Sequence, residues 1–227
     1  MQLGLFFLWV LSAGAAFLAW FALEMAWVSS KGRESRRRMT GCELARQVLD
    51  RNRLNYISLH AAPSGGRIHL GLEADQLALH EKIFYGSELS HLAAALHEAG
   101  HFLTGNRLPL PAGLRRFERN TVRVGVLLSW IGVAIGFLFP SQAGWAAWGE
   151  LIFILITLRA LSRLGEEWEA TDRSLSQLLS LEGFGTDERV GIKRVLDRLR
   201  WSPLAEIMSA PFSFFPQRPK GVPAHVS

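Results

Sequence analysis

The feature that most constrains this chain is an apolar run over residues 3–28. It reads LGLFFLWVLSAGAAFLAWFALEMAWV, and its one charged residue, Glu24, lies near the end. A helix of this length spans the hydrocarbon core of a bilayer with some tilt. A cleaved signal peptide is the alternative, but the run is long for one, no basic residue precedes it, and no A-x-A cleavage pattern follows. We therefore expect residues 1–29 to form an uncleaved transmembrane anchor.

The charge distribution indicates a membrane protein rather than a nucleic-acid-binding one. Hydrophobic residues make up 49% of the 227 residues, and the net charge is +5. The basic residues cluster beside the apolar runs, as in KGRESRRR directly after the anchor. Positive charge at this place keeps the flanking segment in the cytoplasm and attracts anionic lipid. We expect the lipid bilayer as a partner and no nucleic acid.

Two further apolar runs, residues 124–139 and 145–158, predict a transmembrane helical hairpin over residues 122–163. The connection SQAGWAAW contains no lysine or arginine, which is typical of an external turn. Arg159 and Arg163 then indicate the return of the chain to the cytoplasm. The helical pattern continues through EEWEATDRSLSQLL.

The polar part between the anchor and the hairpin predicts a mixed α+β unit. Residues 40–52 show helical spacing of apolar side chains, and Ser87 is placed to cap a second helix that runs to about Leu103, before Gly105. Short strands are expected in YISLHAAP, RIHLGL and QLALHEKIF, the first two joined by the turn-forming PSGG. A final amphipathic helix is expected over about residues 187–201.

The second of these helices contains LHEAGH, in which His97 and His101 stand four residues apart. On a helix this spacing puts both imidazoles on one face, where they can bind one metal ion. Glu98 lies one step round the helix, so it can reach a zinc-bound water and take its proton during attack on a carbonyl. Cys42 is the only cysteine, so a four-cysteine zinc site is excluded. The motif predicts catalytic zinc with Glu98 as general base.

A catalytic zinc usually has three protein ligands, and the third must come from another segment. The acidic stretch GEEWEATD, residues 165–172, follows the hairpin and returns to the same side of the membrane as LHEAGH. A solvated acidic helix face explains this stretch equally well. The residues alone leave the third ligand open.

Four stretches together resemble the neutral zinc metallopeptidases of the YugP type, which are bacterial membrane proteins. The resemblance extends over residues 38–200, and its stretches are TGCELARQVLDRN (40–52), SELSHLAAALHEAGH (87–101), TLRALSRLGEEWEATDRSL (157–175) and DERVGIKRVLDRL (187–199). It implies Glu167 as the third zinc ligand, ahead of Glu166, Glu169 and Asp172. It also makes Asp172 and Arg173 candidates for supporting the ligands.

The chain departs from this family in two places. The family carries D-H-Y-D-P before its zinc helix, whereas residues 68–72 here read IHLGL and keep only the histidine. The family also tends to end with a further apolar helix, whereas WSPLAEIMSAPFSFF is too short and broken to span a bilayer. Neither departure touches His97, His101 or Glu167.

These observations predict an α+β chain with a membrane-anchored, zincin-like metallopeptidase domain. Its expected parts are an anchor (1–29), a cytoplasmic domain with the HExxH helix (30–121), the hairpin (122–163), helices with the third zinc ligand (164–202) and a poorly ordered tail (203–227). The expected function is Zn²⁺-dependent hydrolysis of peptide or protein substrates, including membrane-associated ones. The resemblance places it in the bacterial inner membrane as a multi-pass protein. The alternative is a membrane-anchored scaffold or binding protein with structural zinc.

Overall fold

The computed structural model describes residues 2–62, 76–104 and 112–210, with side chains from residue 4 onward and not at 112–119 or 140. These residues are mostly helical, with one small sheet. The predicted strand RIHLGL, the PSGG turn and Gly105 lie outside the described residues.

Within the described ranges, three long helices have the length and apolar composition to cross a membrane. They are α1 (Gln2–Ser30), α5 (Ala112–Leu138) and α6 (Ala143–Ser180). Helix α6 continues unbroken past Gly165, as the sequence predicted, so one helix connects the apolar segment to the acidic stretch. The connection between α5 and α6 is shorter than expected. A 3₁₀ turn at Pro140–Gln142 is followed at once by α6, so most of SQAGWAAW is helical.

Helices α5 and α6 form an antiparallel hairpin with close backbone contact. A Cβ atom on Gly136 would overlap Ala146, and one on Gly149 would lie 2.5 Å from the carbonyl oxygen of Ser129. Without a hydrophobic driving force in lipid, such small residues let helices associate through close van der Waals contact. Helix α1 joins them through edge-to-face contacts of Trp9 with Trp130 and Phe153.

Helix α2 (Gly41–Arg51) begins at a capping box. The Thr40 hydroxyl accepts the Glu43 N–H, and the Glu43 carboxylate accepts the Thr40 N–H at 2.7 Å. The predicted apolar positions Leu44, Val48 and Leu49 are fully buried. This helix therefore forms where the sequence predicted it, with its apolar face in the core.

The sheet contains two parallel strands, β1 (Ser58–Ala62) and β2 (Gln76–His80), with Ser58 opposite Gln76. The predicted strand QLALHEKIF was too long. It ends at His80, whose Nδ1 accepts the Lys82 N–H at 3.1 Å and starts the short helix α3 (Glu81–Tyr85). This local side-chain bond competes with continued strand pairing.

Helix α4 (Leu89–Leu103) carries LHEAGH and is buried over most of its length. Its predicted cap was wrong: Glu88, not Ser87, occupies the N-cap position, and its side chain makes no capping hydrogen bond to the helix backbone. Ser87 instead accepts the Ser35 N–H through its carbonyl at 2.9 Å, in an extended contact with the segment after α1. Helix α4 packs against α2, α6 and α7 (Thr186–Leu199).

An eighth helix, α8 (Ser202–Ser209), begins where we expected a poorly ordered tail. Leu204, Ala205 and Ile207 are buried, and the helix packs against α1 and α6. The sequence suggested disorder because the segment after Pro203 is rich in proline and small residues. At the start of a helix, however, proline is compatible with helical geometry. Residues 211–227 of the expected tail lie outside the described residues.

The last turns of α1 also belong to the core of the polar domain. Ala26 is buried in the same apolar cluster as residues of α2, α4 and α7, with Leu23 and Trp27 packed against it. The segment that follows is attached to α7 by Glu188, whose carboxylate accepts the Arg36 N–H at 2.7 Å and the Gly185 N–H at 2.8 Å. Burial raises the pKa of Glu188, but these two hydrogen bonds, together with the positive charge of Arg36, outweigh it, so the pKa lies below its ordinary value.

We predict that Gly100→Ala destabilises the protein. A Cβ there would overlap the Ser174 hydroxyl and lie 2.5 Å from the Ala170 carbonyl oxygen, so α4 and α6 would have to separate. We expect a loss of about 1–3 kcal/mol, seen as a lower midpoint of thermal unfolding in detergent.

The matched control is Gly165→Ala, where a Cβ meets nothing within 4 Å. Alanine there should stabilise the helix by up to about 1 kcal/mol, because glycine is the poorer helix former. Equal effects of the two substitutions would contradict the close contact between α4 and α6.

Candidate metal centre

Helix α4 brings His97 and His101 together in the protein interior. The two rings lie on one helix face, with centroids 4.8 Å apart and an interplanar angle of 72°. The residues are only 1% and 5% exposed. The i, i+4 spacing therefore has the geometric consequence that the sequence predicted.

Helix α6 supplies a carboxylate to the same point. One oxygen of Glu167, Oε2, lies 3.0 Å from Nε2 of His97 and 3.4 Å from Nε2 of His101. Glu167 is 5% exposed, and these three residues form a candidate metal-binding group whose ligand atoms all lie within 4.8 Å of one another. Of the acidic residues in GEEWEATD, Glu167 is the member of this candidate group.

The three donor atoms match zinc sites in their chemical type, and the distances from the carboxylate oxygen to the two nitrogens also match. Two imidazole nitrogens and a carboxylate oxygen are common zinc ligands, and three protein ligands leave one position open. Two atoms that each lie about 2.0 Å from a tetrahedral ion are about 3.3 Å apart. The observed separations of 3.0 and 3.4 Å are close to that value.

Burial also affects the protonation of His101. It lowers the pKa of His101 below its ordinary value, because a charged imidazole is poorly solvated in the interior, although the hydrogen bond with Glu167 works in the opposite direction. A metal ligand must be the neutral imidazole. The surroundings of His101 therefore favour the form that can bind a metal.

Glu98 lies beside the group without being one of its members. It follows His97 on α4, is 4% exposed, and interacts electrostatically with His101. As the residue after His97, it lies one step round the helix from the face that carries the two imidazoles.

Two hydroxyl groups contact the candidate ligands, and the sequence analysis identified neither. Thr171 Oγ1 lies 3.3 Å from Nδ1 of His97, and Ser202 donates to Oε2 of Glu167 at 3.4 Å. An imidazole that binds metal through Nε2 carries its proton on Nδ1, and the Thr171 hydroxyl is placed to accept a hydrogen bond from that N–H. Thr171 could have been found from its i+4 spacing after Glu167, whereas Ser202 carried no local signal.

Asp172 and Arg173, the expected supporting residues, point away from the group. Asp172 has a side chain that is 67% exposed and lies 3.5 Å from Arg200. Arg173 is 58% exposed and pairs with Glu169 at 4.0 Å. Helical geometry explains this placement, because residues five and six positions after Glu167 lie on other faces of α6.

Arg163 approaches the other oxygen of Glu167. Its Nη2 lies 4.0 Å from Oε1, one helical turn before the carboxylate, and its side chain is partly exposed. Glu167 therefore has polar neighbours at both oxygens, with the imidazoles and Ser202 at Oε2.

Comparison with known proteins agrees with this geometry. The family described as "Putative neutral zinc metallopeptidase" matches residues 5–214. A relative from Bacillus subtilis (strain 168), "Putative membrane protease YugP", is 28% identical over 196 residues, which cover 84% of each protein. No solved structure matches the chain significantly. The family match includes most of α1 and all of α4 and α6, and it implies Zn²⁺ as the cofactor. The chain therefore belongs to the neutral zinc metallopeptidase family.

Proposed function

We propose that this protein is a membrane-bound zinc metallopeptidase that hydrolyses peptide bonds. The observation that carries the proposal is the convergence of His97, His101 and Glu167 on one buried point, with Glu98 beside it. In this proposal the first three residues hold zinc and Glu98 is the general base. Two ligands from an HExxH helix and a glutamate from a later helix correspond to a gluzincin-like arrangement in a zincin-like domain.

Each residue has a distinct task in the proposed reaction. Zinc, when bound, lowers the pKa of a coordinated water toward about 7 and polarises the scissile carbonyl. Glu98 accepts a proton from the attacking water on a carboxylate oxygen while the oxygen–carbon bond forms. It then delivers that proton to the amide nitrogen as the carbon–nitrogen bond breaks. The Thr171 hydroxyl accepts a hydrogen bond from the Nδ1–H of His97, and Nε2 then faces the metal.

The membrane helices support a proposal about location and substrate. Three candidate spans and a relative named as a membrane protease support a multi-pass protein. The charge pattern favours the bacterial inner membrane, with the site on the cytoplasmic side. Glu167 lies nine residues beyond Leu158 on α6, roughly 14 Å at the helical rise per residue. Substrates held near the membrane, including membrane proteins, fit this position.

The first test of the proposal is the metal itself. His97→Ala or His101→Ala should abolish stoichiometric zinc in the detergent-purified protein, because each removes one of three ligands. Glu167→Gln should weaken zinc binding by removing a charged donor. Elemental analysis together with chelator competition measures both effects.

The matched control is His60→Ala, since His60 is exposed and hydrogen-bonded to Ser58 at 3.1 Å. That variant should keep its full zinc content. Full zinc content in both His97→Ala and His101→Ala would overturn the ligand assignment.

The second prediction separates an enzyme from a scaffold with structural zinc. Glu98→Gln should leave zinc bound and reduce the rate of cleavage by roughly 10²–10⁴-fold, because it removes the proton acceptor. We would compare newly formed peptide N-termini in membranes from cells that express wild type or Glu98→Gln, and would include cleavage of the protein itself. Identical sets of N-termini, with zinc and cellular function retained, would favour the scaffold.

The third prediction concerns orientation. In a Cys42→Ala background, Gly144→Cys should react with an impermeant thiol reagent in intact spheroplasts, whereas Ser176→Cys should react only after lysis. Both positions are exposed, a Cβ at Gly144 meets nothing within 4 Å, and roughly 50 Å of α6 separates them. The opposite labelling pattern would place the metal centre outside the cytoplasm.

A further inference from the structure

The junction between α7 and α8 reaches the candidate metal centre through one hydroxyl. Ser202 donates from Oγ to Oε2 of Glu167 at 3.4 Å, and both residues are 5% exposed. Serine near a helix start commonly caps the helix. Here Trp201 is the N-cap, and no side chain caps α8. The Ser202 hydroxyl is therefore directed at the carboxylate rather than at the helix end.

Contacts around Glu167 hold this junction against α6. Trp201 packs edge-to-face on Trp168 with ring centroids 5.5 Å apart, and the Arg200 guanidinium lies 5.0 Å from the centre of the Trp168 ring. Arg200 also pairs with Asp172 at 3.5 Å. Because Trp168 directly follows Glu167, residues 200–202 pack against α6 beside the proposed zinc ligand.

Helix α8 holds Ser202 from the other side. Leu204 and Ile207 are buried in one apolar cluster with Ala16 of α1 and Ala160 of α6. These contacts pack α8 against both α1 and α6. The first turn of α8 is therefore held firmly, and the Ser202 backbone has little freedom to move away from Glu167.

Glu167 needs such support because a glutamate side chain is long and flexible. Ordering this side chain costs conformational entropy, and its partly exposed neighbour Arg163 approaches the opposite oxygen, Oε1, at 4.0 Å. Ligand carboxylates in metal sites are usually held by hydrogen bonds of their own, which turn the correct oxygen toward the ion. Ser202 is placed to do this at Oε2.

We propose that Ser202 is a positioning residue that turns Oε2 of Glu167 toward the metal, and that residues 200–202 are an integral part of the metal centre. The proposal rests on the assignment of Glu167 as a zinc ligand. It extends the metal centre to the α7–α8 junction, beyond the HExxH helix and the acidic stretch.

The test is zinc affinity, measured by chelator competition on the full-length, detergent-purified protein. Ser202→Ala should weaken zinc binding by about 10–100-fold, the range found when residues that support metal ligands are removed. Thermal unfolding of the metal-free protein should be little changed, because alanine is compatible with the first turn of α8. The matched control is Ser209→Ala at the end of α8, whose hydroxyl bonds only locally to the Glu206 carbonyl. It should bind zinc like wild type.

A double-mutant cycle distinguishes a role through Glu167 from a general structural role. In a Glu167→Ala background, adding Ser202→Ala should cause no further loss of affinity. An equal loss in both backgrounds, or wild-type affinity of Ser202→Ala, would overturn the positioning role. If Glu167→Ala alone binds zinc like wild type, the ligand assignment in the proposed function fails instead.

Discussion

The close contact between α4 and α6 is the interaction on which the rest of the structure depends. Gly100 lets the backbone of α6 approach at Ala170, and the Ser174 hydroxyl donates to the Leu96 carbonyl at 2.9 Å across the same contact. Only at this distance can a carboxylate on α6 reach imidazoles on α4. Gly100, inside HEAGH, is therefore a packing requirement of the candidate metal centre as well as part of its motif.

The sequence predicted the features that follow from short-range patterns of residues. Helical spacing identified α2, α4 and α7, apolar length identified the three candidate spans, and the i, i+4 histidines met as expected. Glu167 required the family resemblance, because periodicity could not choose among four neighbouring acidic residues. In the structure the Glu167 carboxylate lies 3.0 Å from His97 on α4, whereas the Asp172 side chain is 67% exposed.

The features that the sequence did not predict depend on tertiary contacts. The start of α4 is set by an extended contact with the segment after α1, so its residue at the N-cap position need not cap. Helix α8 is only eight residues long and forms because α1 and α6 bury its apolar side chains. Ser202 is separated from Glu167 by 35 positions, and no periodicity connects them. Such contacts arise only when the helices are already assembled.

Helix α1 contributes to two environments, since its first turns contact the hairpin and its last turns fill the core of the polar domain beside α4. A fragment that begins after α1 would expose the apolar surface that Ala26 and Trp27 cover. The polar domain is thus not a separate module, because its apolar core includes the last turns of the same helix whose first turns contact α5 and α6. Assembly of the three candidate spans and completion of the core around α4 are therefore linked through α1.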